Sequence, residues 1–244
     1  MRIDRVILAL VVALLYCTLG LILIQDDDAG PSFPVLRGTG GVVGKGAGCT
    51  PPLPGGTVDG DLLVMYVETA NETAVTVTDF TEVPCSPQQL NGTRLQVFTN
   101  QWTTGENLTT TDSGNHQLCG LVGFNTGTYD TTTPIGCCNS NTQAATASKS
   151  VTGCTTTGGF DAVLAGGGTD LPDANDSTEF SGEANANLTS LSEVIDQAKN
   201  TGNGGAIFVI HGQLEIAGAI GATTTTQEQV TDGANIVIEI NPVP

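Results

Sequence analysis

Few residues in this chain have the types and spacing that chemistry needs. Two histidines occur, His116 and His211, and neither stands in an H-E-x-x-H or related metal motif. No G-x-S-x-G elbow is present to raise a nucleophilic serine. Asp112 lies four residues before His116, and a His–Asp pair can begin an acid–base site. Ser and Asp are so common here that such proximity arises by chance, and His116 reads as a polar strand-edge histidine. Gly44-Lys45 would fit a phosphate loop only with Gly at 39 and Ser or Thr at 46, where Thr39 and Gly46 stand instead. Asp59-Gly60-Asp61 and the set Asp170, Asp173 and Asp176 offer the oxygen ligands that Ca²⁺ takes. Neither has EF-hand spacing, so they read as solvated turn carboxylates, with Ca²⁺ the one cofactor candidate and none expected. The expectation is a protein that is not an enzyme.

Cysteine is the exception to this scarcity. Cys49, Cys85, Cys119, Cys137, Cys138 and Cys154 form an even set in the body of the chain, suited to as many as three disulfides in an oxidising location. Six cysteines allow 15 pairings, among which sequence does not choose. No C-x-x-C pair points to zinc, and the neighbours Cys137 and Cys138 are poor co-ligands for one ion. Cys17 sits apart in an apolar run and is expected to stay a free thiol. Asn71, Asn91, Asn107, Asn175 and Asn187 begin N-x-[ST] sequons, which chance alone supplies in so Thr-rich a chain.

The elements that must carry these residues follow from composition. The 244 residues hold 7 Lys+Arg against 25 Asp+Glu, a net charge of −18, which excludes sequence-independent binding to a phosphate backbone and adsorption to anionic lipid. Between Val6 and Ile24 the chain reads VILALVVALLYCTLGLILI, enough helix to span the ~30 Å bilayer core. Arg2 and Arg5 before it and Asp26, Asp27 and Asp28 after it place the N-terminus in the cytoplasm and the rest outside. The run exceeds a signal-peptide h-region and has no good cleavage site, so residues 1–28 read as a retained membrane anchor. The alternative is an apolar helix buried in a protein assembly. Residues 29–57 are dense in Gly and Pro and read as an extended tether.

Residues 58–244 read as one body of short strands: 61–68, 74–80, 94–102, 117–124, 146–151, 160–166, 205–212 and 234–240. In the last, Ile236, Ile238 and Ile240 share one face, as a half-buried strand requires. Around Leu188 to Ala198 the apolar spacing also fits a helix, but pairing across Asn203-Gly204-Gly205 favours a strand in a hairpin. The expected fold is all-β, an antiparallel jelly-roll-like β-sandwich preceded by one N-terminal transmembrane helix.

GGTVDGDLLVMYVE, RLQVFTNQW and SGNHQLCGLVGFNTG, with a second half from FDAVLAGGG to NGGAIFVIHG that follows the same course, resemble a family of phage-encoded β-sandwich virion and tail-associated proteins. The resemblance covers about residues 55–244. It implies a structural protein that decorates, cements or forms a spike on a particle, rooted in a membrane at Val6 to Ile24. Its partners would be other virion proteins or copies of itself, with no nucleic acid. Two other classes stay open: a pilin-like cell-surface filament subunit, and a carbohydrate-binding module in which Trp102 would be a sugar platform.

Overall fold

The computed structural model describes residues 31–45, 47–170, 179–199 and 204–244, and Pro31–Pro244 form one compact unit. The anchor segment, Cys17, Asp173 and Asp176 lie outside the described residues. Among the described residues no helix is long and apolar enough to cross a membrane.

The body is two antiparallel sheets. Sheet 1 holds β1 (Leu36–Lys45), β2 (Leu62–Ala70), β3 (Thr81–Glu82), β4 (Gln88–Leu90), β5 (Thr93–Gln101) and β6 (Gln117–Phe124), in the order β1-β6-β2-β5-β3, with β4 also on β5. Sheet 2 holds β7 (Ile135–Val151), β8 (Asp161–Thr169), β9 (Phe180–Ala184), β10 (Thr189–Lys199), β11 (Gly205–Leu214) and β12 (Thr223–Ile240), in the order β10-β11-β8-β12-β7, with β9 on β12. Each sheet is wound from one half of the chain, and the two windings match. The first strand forms an edge, the last lies beside it, the second lies inside that, and the penultimate follows.

The registers match as well. Leu62 of β2 faces Phe124 and Gln101, and Ala162 of β8 faces Ile240 and Gln213. Leu36 pairs with Phe124 and Ile135 with Ile240, each pair followed at once by an irregularity. The chain therefore crosses between sheets once, after β6. A jelly-roll winding, expected from the sequence, is not the one observed: the strands of each half stay within one sheet, the first of them pairing with the last.

The sheets pack through complementary sizes at matching positions. Tyr66 and Glu68 of β2 lie over Gly166 and Gly168 of β8, where any Cβ would collide with them, and Phe208 covers Gly167 on the other face. This run of three glycines is a packing seat, not a turn. The alignment puts the starts of β1, β2, β7 and β8 at one end of the sandwich, the entry end, and the termini of β1, β2 and β8 at the far end. Between the sheets lies a core that includes Val64, Tyr66, Leu95, Leu164, Val209 and Ile238. The outer faces are apolar too: Val75, Phe80 and Trp102 cover sheet 1, while Val151, Phe180 and Ile220 cover sheet 2. Burial on both faces explains why β2, β6, β8 and β11 read as continuous apolar runs.

Strand β7 folds back on itself through side chains. Asn139 Nδ2 donates to the Gly153 carbonyl (2.8 Å) and Asn141 Nδ2 to that of Ser150 (2.9 Å). Asn141 Oδ1 accepts the Thr152 N–H (2.7 Å) and Gln143 Oε1 the Ser150 N–H (2.6 Å). The N-x-N-x-Q alternation presents three amides on one face, where they stand in for a backbone ladder. Lys149 plugs the bend, its Nζ donating to the carbonyls of Thr146 (2.8 Å) and Thr231 (2.5 Å).

Three sequence expectations differ from the structure or are decided by it. The segment read as a tether contains β1, because an edge strand tolerates Gly and the register shift between Thr39 and Val42. Residues 74–80 make one bridge, Val77 to Thr110, and otherwise cover the outer face of sheet 1. The segment from Leu188 to Ala198 is strand from Thr189 on: β10 pairs with β11, and two irregularities, between Thr189 and Ser192 and between Glu193 and Ile195, accompany the helix-like apolar spacing.

Candidate functional site

The six body cysteines pair as Cys49–Cys119, Cys85–Cys138 and Cys137–Cys154, with Cα separations of 6.3, 5.8 and 6.0 Å. All fall within the range a disulfide spans. Cys49–Cys119 ties the segment after β1 to the outer face of sheet 1. Cys85–Cys138 joins the β3–β4 connection to β7, and so staples one sheet to the other. Cys137–Cys154 closes the folded-back β7. Chain-entropy arguments give each closure ~3–4 kcal/mol at loop separations of 70, 53 and 17 residues.

At the entry end, each half buries an aspartate at the start of its second strand, and the two are held in opposite ways. Asp61 takes an ion pair from Arg37, with Nη2 donating at 2.9 Å, and the backbone N–H groups of Val58 and Thr126, both at 2.9 Å. Burial pushes this carboxyl up, but Arg37 and the two N–H groups outweigh it and hold it below the ordinary range. Asp59 is likewise engaged, accepting the N–H and hydroxyl of Thr104. In the other half Gly136 occupies the place of Arg37, and Glu239 that of Gly123. A Cβ at Gly136 would collide with the Glu239 carboxyl, which accepts the Cys137 N–H at 2.5 Å. Asp161 thus faces another acid. Burial raises Asp161, with the Thr156 hydroxyl opposing. Burial raises Glu239 to about 7, helped by the Asp161 charge and opposed by the Cys137 N–H.

At the far end, Glu68 and His116 are both fully buried, His116 Nε2 lying 3.8 Å from Glu68 Oε2. Burial holds Glu68 well above its usual range despite a 3.0 Å hydrogen bond from the Thr93 hydroxyl, and Asp170 adds to the rise. His116, expected as a polar strand-edge histidine, stands buried immediately before β6, and Asp112 accepts the Gly114 N–H (2.8 Å). His211 is buried beside Phe124, and desolvation lowers its affinity for a proton. Asp170 is raised first by burial and then by Asp232. Lys149 falls to about 8 because burial penalises its charge, with Asp232 opposing.

A third group lies where β9 meets β10. Glu193 rises to about 9 through burial and then its neighbours Glu183 and Asp196, while Asp196 accepts the N–H groups of Glu179 (2.8 Å) and Phe180 (3.3 Å). Beside it is a shallow depression of about 450 Å³ that includes Glu183, Asn185, Leu191 and Thr224. A second depression, about 370 Å³, is lined by Thr81, Thr99, Gln101 and Pro134 among others. Among the described residues no three His, Cys, Asp or Glu side chains are placed to hold a metal ion.

This arrangement brings together pairs the sequence reading missed: Glu68 with His116, Asp161 with Glu239, and Lys149 inside a strand bend. The one available signal was a lone ionisable residue in an apolar run, as in DLLVMYVE and NIVIEI. These groups are closed off from solvent. Compared with protein-family models, curated proteins and solved structures, the chain gives no match.

Proposed function

We propose that this chain is a non-enzymatic structural protein of a virion: a membrane-rooted β-sandwich that decorates, cements or forms a spike on the particle. The observation that carries this reading is the cross-braced double sheet. Three disulfides and three apolar layers harden the body, and the pairs Glu68–His116 and Asp161–Glu239 are sealed inside it. Such a body offers partners its ends and edges. β1 and β10 each pair on one side, which leaves strand edges for copies of the chain or a shell protein to cover. The phage-like strand course supports the virion setting over the pilin-like one. The carbohydrate-binding reading loses support, because Trp102 is 6% exposed and Tyr66 and Tyr129 are buried, leaving no aromatic platform for sugar among them.

Mass spectrometry of purified, detergent-extracted particles tests the proposal. The chain is expected at structural copy number, and its absence would refute a virion role.

A further inference from the structure

We infer that the entry end of the sandwich docks on the surface of a phospholipid bilayer with zwitterionic headgroups. This rests on the reading of residues 6–24 as a membrane anchor.

The first observation is the distribution of exposed apolar side chains. Six large hydrophobic residues stand exposed among the described residues: Val35, Leu53, Val58, Ile216, Val230 and Val243. Four of them, Val35 (46%), Val58 (48%), Ile216 (77%) and Val243 (45%), lie at the entry end. Val230 alone lies at the far end, beside the β7 bend, and Leu53 lies beside β1. The four are linked through their neighbours. Val35 N–H donates to Thr128 (3.0 Å), and Tyr129, next along, bridges to Pro242 beside Val243. The Tyr129 hydroxyl donates to Gly60 (2.6 Å), two residues after Val58. Ile216 follows Glu215, whose carbonyl accepts the Phe160 N–H (3.1 Å).

The second observation is how the chain arrives. Phe33 packs against Phe160 with ring centroids 5.4 Å apart, which fixes the entering chain beside Ile216. Phe160 holds a φ of +63°, and the matching residue of the other half is Gly60 at +89°. A bulky residue in this left-handed region is strained where glycine is not. The strained phenylalanine supplies the ring on which Phe33 rests.

The third observation is chain length. Seven residue steps separate Ile24 from Pro31, a reach of ~25 Å at most. The segment expected to be a tether carries β1, which begins at Leu36, so few residues lie between the expected anchor and the entry end. Exposed Val and Ile side chains partition into the headgroup boundary. Asp59, Asp130 and Glu215 stand at the same end, and Arg37 is committed to Asp61. Anionic headgroups would be repelled by that balance, which selects zwitterionic lipid.

Quenching by brominated phosphatidylcholine tests this with the full chain reconstituted into vesicles. In a Trp102→Phe background, a reporter is placed by Ile216→Trp or, as far-end control, by Val230→Trp. Hydrogen exchange of the unaltered chain in the same vesicles against detergent micelles covers the case in which a variant fails to fold. Expected are at least twofold stronger quenching at 216 than at 230, slowed exchange over residues 214–219 in vesicles, and weaker quenching when phosphatidylserine is added. Equal, weak quenching at both sites with the chain still floating with vesicles overturns the docking and leaves the anchor reading standing. A chain that does not float overturns both. Shielding at 216 that tracks protein density and ignores bromolipid assigns the face to another copy and refutes lipid contact.

Discussion

Replacing Glu239 with glutamine should remove a pH dependence built into the second half of the molecule. Glu239 titrates near 7 in the folded chain against an ordinary 4.5, because it is buried beside Asp161. A carboxyl raised on folding binds its proton more tightly in the native state. Its contribution is therefore whole below about pH 4.5 and fades as pH climbs through 7. The size of that fade is about 3 kcal/mol. Asp61 and Asp130, both lowered, change stability below this window and do not mask the effect. Glu68 and Glu193 slope in the same direction, so the informative quantity is the difference between wild type and variant. Glutamine keeps an oxygen for the Cys137 N–H and gives Asp161 an N–H donor. Glu239→Gln should thus match wild type at pH 4.5 and exceed it by up to about 3 kcal/mol at pH 7.5. Urea denaturation of the oxidised full chain in non-ionic detergent reads this directly, with buried Trp102 as the fluorophore. Equal pH slopes for the two proteins would refute the acid-pair argument. The double variant G136R/E239G imports the arrangement of Arg37 and Gly123, and should flatten the slope by a different route.

Cys85→Ser with Cys138→Ser unfastens the two sheets, and should lower stability by ~3–4 kcal/mol in denaturation curves; non-reducing peptide mapping of the wild type should recover the three observed pairs. Gly168→Ala sets a methyl against Glu68 between the sheets and should cost ~1–3 kcal/mol, read as a drop in thermal midpoint. Asn141→Ala deletes two hydrogen bonds of the folded-back strand and should cost ~2 kcal/mol, with faster hydrogen exchange confined to residues 139–154.

The sheets were legible where burial makes sequence monotonous. β6 matches the reading residue for residue, and β2, β5, β8 and β11 nearly so, because strands covered on both faces carry continuous apolar runs. The reading lost what polar side chains build. The first half of β7, IGCCNSNTQ, has little apolar content, and its order comes from amides bonding to the returning chain. β1 was hidden by glycines that a central strand would refuse. The ionisable pairs were illegible for a different reason. Asp161 and Glu239 are 78 positions apart and meet only through the register of β8 on β12. Neither the disulfide pairing nor the Tyr66–Gly166 fit follows from spacing, since both depend on how one sheet is laid on the other.

Position by position, the two halves hold their edge strands by different means. In sheet 1 the edge strand β1 is tied down by charge, Arg37 on the buried Asp61. In sheet 2 the matching edge strand β7 has Gly136 at that place and an acid pair beneath it, which by itself weakens as pH rises. The next two residues of β7 are Cys137 and Cys138, and both are cross-linked, one to the returning strand and one to the opposite sheet. No cysteine stands at the corresponding places in β1, Gly38 and Thr39. Covalent closure stands on the β7 edge where the β1 edge has an ion pair. An ion pair between partly buried groups is worth a few kcal/mol at most and requires both charges, whereas a disulfide is indifferent to pH across this range. The second half can therefore keep a proton-sensitive pair at its entry end without its edge strand depending on the protonation state.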